Sequence, residues 1–569
     1  MRLLLLLFLP SLAAAAPTCT DPAATAHLQA GMAAMGEQLA LEAGQEYAFC
    51  LRADATCTAC QYEQGWAFWL RNEFGLAADA WEKTLAADPS HADAQTWAPK
   101  ARARAAKVEA PAPYRRIDPE ADVESTVGET VQVPLTFAAP GTSGLISCKA
   151  ELASASRPAR VRGPRNVRST PRADVSAMPR VPAAEAPNQP GRSVSGLPLQ
   201  PLEGKPTVLG RIAAVMTRAA SGERTRISVW GASHTSADRF TGRIRRVLQG
   251  RGGDGGHGFV LPAELYKWHG GRDVSLCRTV GWAPDWADVT NPDDSDRLGV
   301  GGMSVTSGDP ADFGWIQTTS KGPGSAVSSV SIWALKKSMA GTLLISVDGG
   351  PAQEVPLRDF MRDSIAHITI ALPDGAHRVR IAPKGDGLVT VFGMSMERDR
   401  GVIVDALGIR GREARTWLMW DVVGFVDGVE QIAPDLVVLA YGTNEASDPS
   451  YSMDAYRRDL HAVLLRLRMA LPPEVPCILA GPSDRFAKRD DGDYATWART
   501  ADVAAVQREV APIYGCASWD WQAATGGPGS ALGGLHGDPP LTAKDGIHHT
   551  PAGYAAVADR FLQALDAAR

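Results

Sequence analysis

The chain has 569 residues, 45% of them hydrophobic and 21% charged, with a formal net charge of -5. This length exceeds what one hydrophobic core organises, so about two to four domains are expected. The nearly balanced charge excludes nucleic-acid binding by the chain as a whole.

The N-terminal stretch "MRLLLLLFLPSLAAAAPTC" joins one Arg to a short apolar core and small residues ending in Ala. This is the pattern of a secretory signal peptide, residues 1–16, with cleavage expected near Ala14 to Ala16. The apolar run is short for a bilayer span, and no later stretch reaches the roughly eighteen uninterrupted apolar residues of one. The expected mature protein therefore has no membrane span and is exported, to the periplasm or cell envelope or to the outside. Eight Cys fit such an oxidising compartment. Cys19, Cys50, Cys57 and Cys60 crowd near the start, where one or two disulfides of open connectivity are expected. The Cys57–Cys60 pair alone also fits a redox motif or half a zinc site, but no strand–helix context or second Cys/His pair supports either.

Residues 17–106 read as a small helical domain. "GWAFWLRNEFGLAADAWEKTLAADPSHADAQTWAPKARAR" has apolar residues at helical spacing, and Ala77, Ala80 and Leu85 let two helices approach closely before a turn at Pro89. The stretch resembles a tetratricopeptide-like hairpin over little more than one repeat. A protein-docking surface and a disulfide-tied cap are both consistent with it. Residues 107–205 are rich in Pro, Ala, Ser and Arg, and read as a solvated linker. The exception is "ETVQVPLTF", a possible strand or two. The Arg excess from Arg157 to Arg192 fits either a tether or attraction to an anionic wall polymer.

From residue 206 onward, short apolar runs end in Gly-rich turns: "RISVWGAS", "GVIVDALGIRG", "PDLVVLAYGTNE" and "PCILAGPSD". Helical patterns separate them, so the fold class is α/β with a parallel sheet covered on both faces. Chemistry in such sheets sits at the carboxyl ends of the strands, where these turns lie. Residues 285–400 break the alternation with six or more short strands, read as an inserted β-sandwich of carbohydrate-binding type. Trp315, Trp333, Phe392 and His377 are its candidate sugar contacts, with core or edge packing the favoured reading of each one taken singly. The α/β domain is thus expected in two parts, 206–284 and 401–569.

The strand-end turns carry a hydroxyl at Ser233, glycines at 408 and 411, Asn444 in "GTNE", and Asp545 and His548 in "KDGIHHTPAGY". A serine hydroxyl attacks only when a neighbouring base takes its proton, and that base needs a third group to fix its tautomer. Asp545 and His548, three residues apart, can face each other on one turn. A glycine N–H and an Asn amide can receive the oxyanion. Taken alone, Ser233 is as compatible with capping the helix that follows it.

"GASH", the Gly turn, "GTNE" and "DGIHHTPAGY", in that order, resemble the four blocks of SGNH (GDSL-type) hydrolases. The resemblance covers residues 206–569. It implies a flavodoxin-like three-layer α/β/α hydrolase domain with Ser233 as nucleophile, His548 as base and Asp545 as its partner. The oxyanion hole would be the Ser233 N–H, Gly411 and Asn444, with Gly408 offered by the same "GIRG" turn. The chain departs from the family at Ala232, where Asp is usual, and at Glu445, where the third block usually has Asp. His234 is expected in a structural or substrate-edge role. The inserted sandwich and "GGDGGHGFVLP" resemble bacterial peptidoglycan O-acetylesterases and related carbohydrate esterases. That implies an O-acetyl ester on peptidoglycan or another polysaccharide as substrate. Polysaccharide O-acetyltransferase, general lipase or thioesterase, and non-catalytic wall-binding scaffold are the alternatives. No metal, cofactor or nucleotide motif is read, and a protein partner is expected only through the helical domain.

Overall fold

The computed structural model describes residues 19–36, 40–70, 74–107, 148, 175, 178–191, 196–261, 271–287, 298–359, 364–419 and 422–568. The signal peptide, "ETVQVPLTF" and most of the Arg-rich run lie outside them. The chain divides into two compact units, Met1–Glu124 and Ser125–Arg569.

The first unit contains helices Pro22–Gly36, Ala40–Ala53, Thr58–Leu70, Phe74–Ala87 and Ala92–Lys107. Two glycines set its close approaches. A Cβ on Gly31 would come within 2.4 Å of the Tyr47 ring, and one on Gly65 within 2.3 Å of the Trp81 indole. Each pair recurs 34 positions along, 31 to 65 and 47 to 81, which is the tetratricopeptide period. The hairpin read from the sequence is therefore the second of two. The first was hidden because Tyr47 and Cys50 stand where Trp81 and Thr84 stand in the second. Disulfides Cys19–Cys57 and Cys50–Cys60 tie it together.

The second unit is built on a five-stranded parallel sheet. Its strands are β1 (Thr225–Gly231), β2 (Val402–Gly408), β3 (Leu436–Ala440), β4 (Cys477–Ala480) and β5 (Cys516–Trp519), in spatial order 2-1-3-4-5. This is the flavodoxin-like order. Every residue of β1 is buried, as an apolar central strand requires. Helices Pro206–Ser221, Phe240–Gly252 and Pro551–Ala567 cover one face through Ile212, Ile244 and Phe561. Helices Val422–Ile432, Met453–Ala470 and Arg499–Val510 cover the other through Val429, Leu464 and Val506. The Cys477–Cys516 disulfide joins β4 to β5 between cysteines 39 positions apart in sequence. Replacing both Cys by Ser should lower unfolding free energy by about 2–4 kcal/mol, read from urea melts.

The inserted sandwich has a five-stranded and a six-stranded antiparallel sheet. It starts earlier than residue 285. Gly256–Val260 pairs with Val389–Glu397, and Ser275–Arg278 pairs with Gly314–Gln317. The first of these strands is five residues long with two glycines and the second is four residues long, so alternation did not reveal them. Trp315, Trp333, Phe392 and His377 are each at most 3% exposed. They are core residues, in line with the packing reading favoured for each, and they present no sugar-binding face. His377 is held by Asp348 at 2.7 Å and by the Pro373 carbonyl at 2.6 Å.

The linker expectation also changes at its C-terminal end. Arg180–Val181 pairs with the strand Tyr494–Thr496, and Glu203 pairs with Ser518 beside β5. Leu197 packs on Leu541 and Ala556, and Cys148 is disulfide-bonded to Cys277 of the sandwich. The hydrophobic anchors here are few and widely spaced, which is why composition alone masks them.

Candidate active site

The sheet register brings the functional loops to one level. Gly408 at the end of β2 and Ala440 at the end of β3 both stand opposite Gly231 at the end of β1. Two glycines let these turns nest. A Cβ on Gly408 would lie 2.3 Å from the Ser236 nitrogen, and one on Gly231 would lie 2.8 Å from the Ala440 carbonyl oxygen. Gly408 is thus a packing residue. Gly411 is exposed, has φ +74° and has nothing within 4 Å of its Cβ direction, so of the two glycines in "GIRG" it faces open space.

Ser233 opens the short helix Ser233–Ser236, whose N-cap is Ala232, a residue with no side-chain cap. The Ser233 hydroxyl is not spent on capping. It bonds His548 Nε2 at 2.8 Å, and His548 Nδ1 bonds Asp545 Oδ2 at 2.7 Å. Asp545 Oδ1 accepts the Ile547 and His548 N–H groups at 3.0 and 2.9 Å. The three-residue offset therefore closes a turn as well as aiming the ring. Immediately after it Thr550 caps the last helix, and Pro551 stands in its first turn. Partial burial alone would raise the Asp545 pKa, but the bonds from the His548 ring and the two N–H groups hold it below the usual carboxylate range. The carboxylate is accordingly ionised at neutral pH, and its bond fixes the His548 tautomer with Nε2 free to accept the serine proton.

Asn444 donates its Nδ2–H to the Arg412 carbonyl at 2.7 Å, which ties the loop after β3 to the loop carrying Gly411. Among the described residues the other Nδ2–H has no hydrogen-bond partner. Glu445 makes the same connection from beneath: its carboxylate accepts the Ala414 N–H at 2.8 Å and the Gly442 N–H at 2.9 Å. A family Asp would be one methylene shorter, and the longer Glu spans both loops here. Burial and the neighbouring Glu413 raise the Glu445 pKa to about 7. A raised folded-state pKa means that this group's contribution to stability is full in acid and is lost as pH rises through about 7. The Tm of wild type relative to Glu445→Gln should therefore fall between pH 5 and pH 8, by the equivalent of about 2 kcal/mol.

His234 is buried rather than at a substrate edge. Its Nδ1 bonds the Tyr554 hydroxyl and its Nε2 the Ser483 hydroxyl, both at 2.9 Å. Burial, then His549 and His548, push its pKa well down, so it is neutral. It pins the turn after Ser233 to the last helix and to the loop after β4. His549 is buried beside Trp521, and burial lowers its pKa to about 4. The sequence reading assigned nothing to the loop after β4. Ser483 and Arg485 reach the site there, and the only signal was a Gly-Pro turn following an apolar run.

Residues 383–556 match the GDSL-like Lipase/Acylhydrolase family. The chain carries a GDSL-type acylhydrolase domain. It is a carboxylic ester hydrolase. The matched span includes the turns after β2, β3 and β4 and the His548 loop, while Ser233 of this acylhydrolase precedes it, separated by the sandwich. The fold resembles that of a peptidoglycan O-acetylesterase at 24% identity and TM-score 0.53, over 65% of this chain and 99% of the other. A salicylyl-acyltransferase from a tetracycline biosynthetic pathway is 13% identical over 52% of this chain and 95% of its own, with TM-score 0.26. A family two carbohydrate esterase from Cellvibrio japonicus is 14% identical over 52% and 99%, with TM-score 0.21. No curated protein sequence matches the chain.

Proposed function

We propose that the protein is an exported serine esterase that hydrolyses O-acetyl esters on peptidoglycan or another envelope or extracellular polysaccharide. The observation that carries this reading is the hydrogen-bonded line from Ser233 Oγ through His548 to Asp545. Ser233 Oγ attacks the ester carbonyl as its proton passes to His548 Nε2, and Asp545 stabilises the imidazolium that forms. The Ser233 N–H, Gly411 and the Asn444 amide receive the oxyanion. The proton on His548 then leaves with the sugar hydroxyl, and an acetyl–Ser233 ester remains. Water attacks that ester, giving its proton to His548, and His548 returns the proton to Ser233 Oγ as acetate departs.

Export is supported by the pairing of all eight cysteines in four disulfides. The fold shared with a peptidoglycan O-acetylesterase favours a glycan ester. Residues 206–261 and 401–569 would form the hydrolase, with the sandwich as an insert and the helical unit as a place for a protein partner. Acetate release from O-acetylated peptidoglycan and from acetyl-xylan tests the substrate class. Turnover confined to long-chain nitrophenyl esters would instead identify a lipase.

A further inference from the structure

The loop after β4 runs between two parts of the site. Ser483 bonds His234, the residue after the nucleophile, and the Phe486 N–H donates to the Gly546 carbonyl at 2.9 Å, next to Asp545. Arg485 lies between these two anchors and is therefore carried beside the catalytic turn. Its guanidinium stacks 4.5 Å over the Trp497 ring, and its Nε is buried without a hydrogen-bond partner. Among the described residues it forms no ion pair. The fully buried Arg245 and Arg226 are different: Arg245 is paired with Asp238, and Arg226 with Glu397.

A cation held partly out of water without a counter-ion is costly. Burial lowers the Arg485 pKa to about 10, so the group stays charged at neutral pH. The two nearby carboxylates spend their oxygens elsewhere. Asp545 accepts from its own turn and from His548, and Asp484 accepts from Gln522 at 2.8 Å and the Ala531 N–H at 2.9 Å. What remains is a planar fork of donors, stacked over Trp497, only partly covered and carried on the loop that bonds His234 on one side and Gly546 on the other. That is the geometry for bidentate capture of a carboxylate.

We propose that Arg485 is an anion subsite of this active site, binding a carboxylate carried by the glycan that bears the scissile ester. The proposal rests on the esterase reading and narrows its substrate to an acidic glycan. The carboxylate can belong to a uronate ring, to the lactyl arm of a muramic residue or to a stem peptide.

The test compares kcat/KM for acetate release from O-acetylated oligogalacturonate with that from O-acetylated cello-oligosaccharide, in wild type, Arg485→Lys and Arg485→Met. The acidic-to-neutral ratio should fall at least about tenfold in Arg485→Met, mainly through KM, and less in Arg485→Lys. O-acetylated peptidoglycan, intact and after amidase removal of its stem peptides, provides the second pair. A fall on the stripped polymer alone assigns the lactyl carboxylate, and a fall on the intact polymer alone assigns the stem peptide. Ratios unchanged within about twofold on every acidic substrate overturn the proposal, including the case where all rates drop together. Calorimetric binding of oligogalacturonate and of stripped peptidoglycan fragments to Ser233→Ala, with and without Arg485→Met, separates the two readings. Arg485-dependent binding with no acetate release by wild type would refute the esterase reading and keep the subsite. Binding to neither ligand would remove the subsite alone.

Discussion

Ser233→Ala and His548→Ala should each lower kcat for acetate release by at least about three orders of magnitude, with little change in KM. Ser233 Oγ is the only atom of its side chain able to form the acyl bond, and its hydrogen bond runs to His548 Nε2 rather than to a helix N–H. Without the imidazole the hydroxyl keeps its proton and is a poor nucleophile. The two groups act on one proton, so the double variant should be about as slow as either single variant rather than slower by the product. Both side chains are partly exposed and neither supports the core, so the Tm should move by no more than a few degrees. A loss of activity accompanied by unfolding would point to a structural role instead. Hydrolysis of 4-nitrophenyl acetate, followed with thermal melts of the same samples, reads both quantities.

Asn444→Ala should cost about 10²- to 10³-fold in kcat. One Nδ2–H is committed to the Arg412 carbonyl and so fixes the plane of the amide. The second N–H then points in one direction whether substrate is present or not. An oxyanion develops only as the carbonyl is attacked, so its loss should appear in kcat and kcat/KM alike. Asn444→Asp should be at least as damaging. It replaces the donor to the oxyanion with an acceptor and sets a carboxylate against the Arg412 carbonyl. Recovery of activity in Asn444→Asp would show that the side chain acts by packing.

Four strands of the parallel sheet were legible because each is an apolar run stopped by a Gly-rich turn, a signal that comes from burial on both faces; β5, four residues long and followed directly by Asp520 and a helix, carries no such signal. The approach of Ser233 to Asp545 and His548 follows from that sheet: β1 is central, and the last helix returns beside it. Gly408 and Gly411 were indistinguishable in sequence, because only neighbouring atoms separate a glycine that must accommodate Ser236 from one with open space around it. The sandwich aromatics were ambiguous for a related reason. A Trp on an alternating strand has the same pattern whether it faces a core or a sugar, and here the faces are inward. Arg485 and Glu445 left no motif, since the loop carrying Arg485 is placed by bonds to His234 and Gly546, and Glu445 bonds Ala414, 31 positions away. The first helical hairpin stayed hidden behind cysteines that occupy repeat positions.

The most direct measurement of the central claim is covalent labelling with a fluorophosphonate, followed by peptide mass spectrometry. The serine oxygen displaces fluoride from phosphorus only if its proton is removed, so the adduct reports the activated hydroxyl itself. The account predicts one adduct, on the peptide containing Ser233, lost in Ser233→Ala and strongly slowed in His548→Ala. An adduct on a different serine, or full esterase activity in protein that Ser233→Ala leaves unlabelled, would contradict it.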